Sequence, residues 1–217
     1  VRLIFTTAST FGDRDIDYDQ YTIPAMWKYA KRCGADFKVI RNCKNPEWGG
    51  NPTWYRVDEL IKLKSNPKYS HVLYLDCDIF IDPDADSIFE VDGIDECDVA
   101  MGIEQWCDGI LPQDHIDSIL RIYGHKPTYN DYHNAGVLYL TRHAILRLQL
   151  TGPYTHSNWF DQDFLNYRIK TSGLNLKTLD TSWNWIPDSD EFHANFYHCA
   201  FQHKPWIEKL HQKFNII

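Results

Sequence analysis

The sequence predicts an α/β fold, a mostly parallel central sheet flanked by helices. Three observations point to it. Strand-like apolar runs alternate with helix-like segments along the chain, as in βα units. The runs HVLYL and AGVLYL are continuously apolar, as strands covered on both faces are. No internal repeat, low-complexity tract or linker divides the 217 residues. One domain over 1–217, alone or within a longer chain, is the simplest organisation.

VRLIFTT (1–7) reads as a first strand and 7–20 as a polar loop. A helix starts near Ile23, with Pro24 in its first turn, and stops at Gly34, the usual asymmetry of helix ends. DFKVI (36–40) is a second strand, and 41–52 is a loop rich in Pro and Gly. In WYRVDELIKLK (54–64), Tyr55, Val57 or Asp58, Leu60, Ile61 and Leu63 recur at helical spacing. HVLYLD is a third strand, with DIFID as a short extension of it. DVAMGI (98–103) is a strand, QDHIDSILRIYG (113–124) a helix, AGVLYL (135–140) a buried strand and TRHAILRLQL a helix. WFDQDFLNYRIKTSG (159–173) is a helix, with Ser157 or Asn158 as its cap. LNLKTLD is strand-like, and FYHC (196–199) closes the regular elements.

Composition narrows the function classes. Apolar residues make up 43% and charged residues 24%, which suits a packed globular core. The net charge of −8 disfavours nucleic acid as a partner, since sequence-independent binding needs basic surface over phosphate. No run approaches the ~20 apolar residues of a membrane helix, and no basic-then-apolar segment opens the sequence. Six cysteines, at 33, 43, 77, 97, 107 and 199, include no C-x-x-C pair, so a structural zinc site is not expected. Asn51-Pro52-Thr53 has Pro at its centre and is no glycosylation site. This usage points to a reducing, cytoplasmic setting. Eight Trp and 15% aromatics suit stacking on sugars or bases, though most are expected in the core.

Asp76 and Asp78 interrupt the third apolar run. Burying a carboxylate is costly unless it is paired or binds a metal. Residues i and i+2 of a strand point the same way, so the pair presents two oxygen donors at a strand's carboxyl end, where α/β sheets bind ligands. Such donors suit Mg²⁺ or Mn²⁺. A bare D-x-D is equally two solvated acids at a strand end.

Motifs downstream of the pair separate these readings. NAGVLYL (134–140), DQDFLN (161–166), SWNW (182–185) and H-x-x-F-x-x-K-P-W (198–206) occur in that order. Together they resemble the GT-A (Rossmann-like) glycosyltransferases, most closely the retaining enzymes of glycosyltransferase family 8, over nearly the whole chain. The resemblance implies a metal-dependent enzyme that transfers a hexose from a nucleoside-diphosphate sugar, most simply a UDP-sugar, to a glycan, glycoprotein or other hydroxyl acceptor with retention of configuration.

It also implies roles. Asp76, Asp78 and His198 hold the metal, and imidazole among carboxylates favours Mn²⁺ over Mg²⁺. Lys204 meets the donor diphosphate, Asn134 lines the donor-sugar site, and Asp161 and Gln162 lie under the reacting face. Tyr21, with Tyr18 second, stacks on the base, which Thr7 and Ala8 line through backbone groups. The family's Gly in the last motif is Phe201 here, so that loop is rearranged against the diphosphate. Asp13, Asp15, Asp17 and Asp19 fail the calcium-loop pattern, with Tyr18 where Gly is needed and Pro24 where Glu is needed.

The chemistry fits these residue types. A divalent cation stabilises charge on a departing diphosphate as a Lewis acid. Lys204 and Arg56 would add positive field, although the plainer and preferred reading of Arg56 is a surface helix residue. Gln162 is a poor nucleophile because its amide oxygen carries no full charge, so same-face attack with Gln162 and Asp161 stabilising the cationic centre is expected. Plainer readings accompany these. Asn134 turns the strand start, Asp161 and Asp163 complement a helix dipole, and Trp183 and Trp185 either wall an acceptor cleft or pack in the core. The rival functions are a nucleotide-sugar-binding domain inactive alone and a D-x-D phosphohydrolase. The latter carries its motif on the first strand, whereas here two strand–helix units precede it.

Overall fold

In the computed structural model the described residues are 1–8, 17–41, 52–104, 111–128, 132–151, 160–187, 193–200 and 203–214. The expected alternation is present: β1 (Arg2–Thr7), α1 (Thr22–Arg32), β2 (Ala35–Ile40), α2 (Tyr55–Lys64) and β3 (His71–Asp76), then β4 (Ile79–Ile81) and β5 (Val99–Ile103). They are followed by α3 (Gln113–Tyr123), β6 (His133–Thr141), α4 (Arg142–Arg147), α5 (Phe160–Thr171), β7 (Leu176–Leu179), β8 (Phe196–His198) and α6 (Trp206–Lys213).

Six strands form one sheet in the order β2-β1-β3-β6-β5-β7. β1 is parallel to β2 and β3, and β5 to β7, while β6 runs antiparallel to both its neighbours. The sheet is thus mostly parallel with one reversed strand. Leu75 pairs with Val137, so the start of β6 lies beside the end of β3. Asn134, Ala135 and Gly136 therefore sit next to Asp76, although they are far from it along the chain.

Strand periodicity divides the core in two. Leu3, Phe5, Val72, Tyr74, Leu138 and Leu140 pack beneath α2, α4 and α5, with Leu60, Ile145, Phe164 and Leu165. Ile4, Leu73, Leu75, Val137 and Tyr139 point the other way, onto Met26, Tyr29 and Ala30 of α1. Tyr74 and Asp76 share parity, which turns Asp76 toward the α2/α5 side. Gly124 ends α3 at φ 67°, a left-handed cap that costs an L side chain and is free for Gly. Among the described residues no helix is long and apolar enough to cross a membrane, and Cys33, Cys77, Cys97 and Cys199 are free thiols.

Three expectations are corrected. The third strand does not continue through Asp78: it stops at Asp76, a turn spans Cys77 and Asp78, and Ile79–Ile81 pairs antiparallel with β8 in a separate two-stranded sheet. FYHC is not the last element, because α6 comes after it and buries Ile207 and Leu210 against Phe80 and Tyr197. The short amphipathic pattern of α6 begins inside the K-P-W motif, whose residue types suggest ligands rather than a helix. Trp183 packs in the core with its ring edge-on to Phe196 at 5.2 Å, so its reading as a cleft wall is set aside.

At Gly102, on β5, an added Cβ would stand 2.8 Å from the Asn184 Cβ. Gly102→Ala is expected to destabilise the fold by about 1–3 kcal/mol through overpacking. Urea unfolding checks this, and an unchanged midpoint would contradict the close approach.

Candidate active site

The end of β3, the adjoining turn and β8 bring three side chains together. One ligand atom each from Asp76, Asp78 and His198 lies within 4.8 Å of the others. His198 Nε2 is 3.8 Å from Asp76 Oδ2 and 3.5 Å from Asp78 Oδ1. The pairing of Ile79 with His198 fixes this approach, and the His198 amide donates to the Trp185 carbonyl at 2.7 Å. The turn, not one continuous strand, turns Asp78 toward the imidazole.

Asp78 Oδ1 is buried without a hydrogen-bond partner, an arrangement that a cation would satisfy. Burial raises the Asp78 carboxyl, but His198 and then Lys204 outweigh it and hold it below the usual range. Burial lowers the His198 imidazole, but Asp78 and Asp76 outweigh it and hold it above its ordinary value. Two carboxylates and one imidazole in this field form a donor set suited to Mn²⁺ or Mg²⁺.

Gly136 explains the glycine of N-A-G. A Cβ there would lie 2.5 Å from His198 Cε1 and 2.9 Å from its Nδ1. The imidazole rests directly on the β6 backbone, and no other residue leaves that space.

Arg56 joins the group of Asp76, Asp78 and His198 to α5. It is 5% exposed, so the surface-helix reading is corrected: its place on α2 turns it under the sheet end. Its Nε donates to Asp161, and its Nη1 donates to the Ala135 carbonyl at 2.5 Å and lies 3.5 Å from Asp76 Oδ1. The guanidinium carbon stands 4.9 Å from the Tyr74 ring centroid. Burial opposes the Arg56 charge, but Asp161 and Asp76 overcome it. Burial pushes the Asp161 carboxyl up to about 6 against the pull of Arg56, which leaves it ionised at neutral pH.

The D-Q-D motif opens α5 and splits by depth. Asp161 and Asp163 are 2% and 1% exposed, whereas Gln162 is half-buried. Asp163 accepts from the Tyr132 hydroxyl. Gln162 Oε1 accepts from the Ala135 amide at 2.9 Å, and its Nε2 donates to Glu104 at 2.9 Å. Asn134 donates to the same Glu104 oxygen at 3.0 Å and accepts from the Gly136 amide at 2.8 Å. Glu104, at 1% exposure, is a site residue that sequence reasoning misses. Its one signal is its place directly after the apolar run of β5, at a strand's carboxyl end.

The other expected site residues lie around this group. Thr7 pairs with Asp76 across β1 and β3, and the Ala8 amide donates to Ile40. Tyr21 meets His211 edge-on at 5.0 Å, while Tyr18 is buried with Phe80 and Tyr197. Trp185 lies beside His193 at 5.6 Å. Lys204 is half-buried before α6. Phe201, Asp13, Asp15, Ser157 and Asn158 lie outside the described residues.

No family model and no curated protein sequence matches the chain. Solved structures do. A glycosyltransferase involved in glycosylation of the major capsid of PBCV-1 superposes with a TM-score of 0.63 at 16% identity, over 96% of this chain and 98% of that one. The galactosyltransferase LgtC, in complex with donor and acceptor sugar analogues, gives 0.61 at 16% identity over 99% and 95%. The fold is that of the GT-A glycosyltransferases. Mouse xyloside xylosyltransferase 1 gives 0.58 at 10% identity over 91% and 97%. In this chain the acidic pair and His198 stand at the carboxyl end of β3, at the junction with the reversed strand.

Gly136→Ala is expected to push the imidazole off the sheet and weaken Mn²⁺ binding by about 10–100-fold, the usual cost of disturbing what orients a ligand. Calorimetric titration of the folded variant checks this, and unchanged affinity would mean that His198 is not a ligand.

Proposed function

We propose that this chain is a metal-dependent glycosyltransferase that moves a hexose from a nucleoside-diphosphate sugar, most simply a UDP-sugar, to a hydroxyl of a glycan or glycoprotein, with retention of configuration. The observation that carries the reading is the convergence of Asp76, Asp78 and His198 in a fold shared with glycosyltransferases.

Asp76, Asp78 and His198 would hold Mn²⁺ or Mg²⁺. When bound, the ion supplies Lewis-acid stabilisation of the departing diphosphate. Lys204, whose charge already reaches Asp78, would add positive field beside the diphosphate. Thr7 ends β1 next to Asp76 and Ala8 follows it, and with Tyr21 they are the proposed base-side residues.

Gln162 is the D-Q-D residue nearest to the open side of the site, and its amide is held at both ends by Ala135 and Glu104. A neutral amide held this way stabilises positive charge at the sugar carbon by its dipole and forms no ester. Asp161 is engaged by Arg56, so its part is indirect: it fixes the guanidinium and contributes negative field. Asn134 likewise acts from within the strand, on the shape of the donor-sugar site. Trp185 is the proposed aromatic neighbour of the acceptor. These features favour same-face attack over a glycosyl–enzyme.

UDP and UDP-hexose are expected to bind in the presence of Mn²⁺ and to lose metal-dependent binding in Asp78→Ala; binding of neither UDP nor GDP at millimolar concentration would sink the proposal. A second expectation concerns pH. The folded Asp161 pKa of about 6 lies above its unfolded value, so this carboxyl loses stabilisation as pH rises and takes up a proton as pH falls through about 6. Protonation removes one of the two charged partners of Arg56, so transfer is expected to decline through that window in the native protein. In Asp161→Asn transfer should be lower throughout, without that step. A pH–rate profile on both proteins checks this, and an identical acid limb in the variant would exclude Asp161 as its origin.

A further inference from the structure

The two oxygens of Asp76 face different partners. Oδ1 accepts from the Tyr74 hydroxyl and lies 3.5 Å from Arg56 Nη1. Oδ2 faces His198 Nε2 at 3.8 Å. Tyr74 stands two residues before Asp76 on the same strand face, and three further contacts fix it. Its hydroxyl meets Thr7 Oγ1 at 3.0 Å, its ring packs on Phe5 at 5.1 Å between centroids, and Arg56 covers the ring.

We infer that Tyr74 is a positioning residue for the metal ligand Asp76: its hydroxyl pins Oδ1, so that Oδ2 alone turns to the cation shared with Asp78 and His198. This rests on the metal reading of those three residues. Two opposing effects are involved. A hydrogen bond donated to a carboxylate withdraws charge and weakens it as a ligand. The same bond fixes a terminal torsion that is otherwise broad, so the ordering cost is met on folding and not on metal binding. Arg56 already draws charge from Oδ1 whether or not Tyr74 is there. The added effect of the phenol is therefore mainly orientation, and losing such partners commonly costs about 10–100-fold in metal affinity. Thr7 extends the chain of contacts to β1 through the phenol rather than through the carboxylate.

The test measures Mn²⁺ affinity by electron paramagnetic resonance of the free ion, without nucleotide, in the unaltered protein, Tyr74→Phe and Phe5→Leu. Tyr74→Phe keeps the ring against Phe5 and is expected to stay folded by circular dichroism while binding about 10–100-fold more weakly. Phe5→Leu loosens the packing on the Tyr74 ring but keeps the Tyr74–Asp76 bond, and is expected to bind as the unaltered protein does. Equal affinity in Tyr74→Phe overturns the inference. So does an equal loss in Phe5→Leu, which would trace the effect to loosened packing. Absence of Mn²⁺ binding by the unaltered protein would instead overturn the metal reading itself, and this inference with it.

Discussion

A buried guanidinium organises this site. Arg56 meets Asp161 and the Ala135 carbonyl directly and stands 3.5 Å from Asp76. A buried charge is tolerated only when its partners are well placed, so three elements are held in fixed relation: the end of β3, the start of β6 and the first turn of α5. Without the cation, two carboxylates would face each other in a poorly solvated space and repel. Asp76 is therefore compensated on one side by Arg56 and faces Asp78 and His198 on the other.

The reversed strand is the second constraint. Had β6 run parallel to β3, Asn134, Ala135 and Gly136 would lie at the opposite end of the sheet. Reversal places the Ala135 carbonyl under Arg56, the Ala135 amide under Gln162 and the bare Cα of Gly136 under His198. Two consecutive residues thus serve three parts of the site. The glycine is needed for space, since its φ lies outside the left-handed region.

Charge is arranged by depth. Asp161, Asp163 and Glu104 are all buried and each is engaged by other groups, while the neutral amide of Gln162 reaches furthest toward solvent. Fixed dipoles next to a reacting centre need no reorganisation as charge develops. Glu104 contributes by holding the two amides of Asn134 and Gln162 in one orientation, through a single oxygen that accepts from both.

The sequence by itself determined the α/β alternation, the acidic pair as the centre of interest and the ordered set of motifs, because strand and helix periodicities and side-chain chemistry are local properties. It left Arg56 open between solvent and site, because a helix pattern does not say which cationic side chain a fold will bury. Glu104 was not legible, since a single letter after β5 carries no pattern, and neither was α6, whose two buried apolar residues give too short a period. Only the tertiary structure decided that β6 reverses, that a turn and not a strand aims Asp78 at His198, and that Tyr74 and Arg56 take one oxygen of Asp76. These depend on which distant strands become neighbours, and that is set by how the two faces of the sheet bury their apolar rows rather than by any residue's own neighbours in the chain.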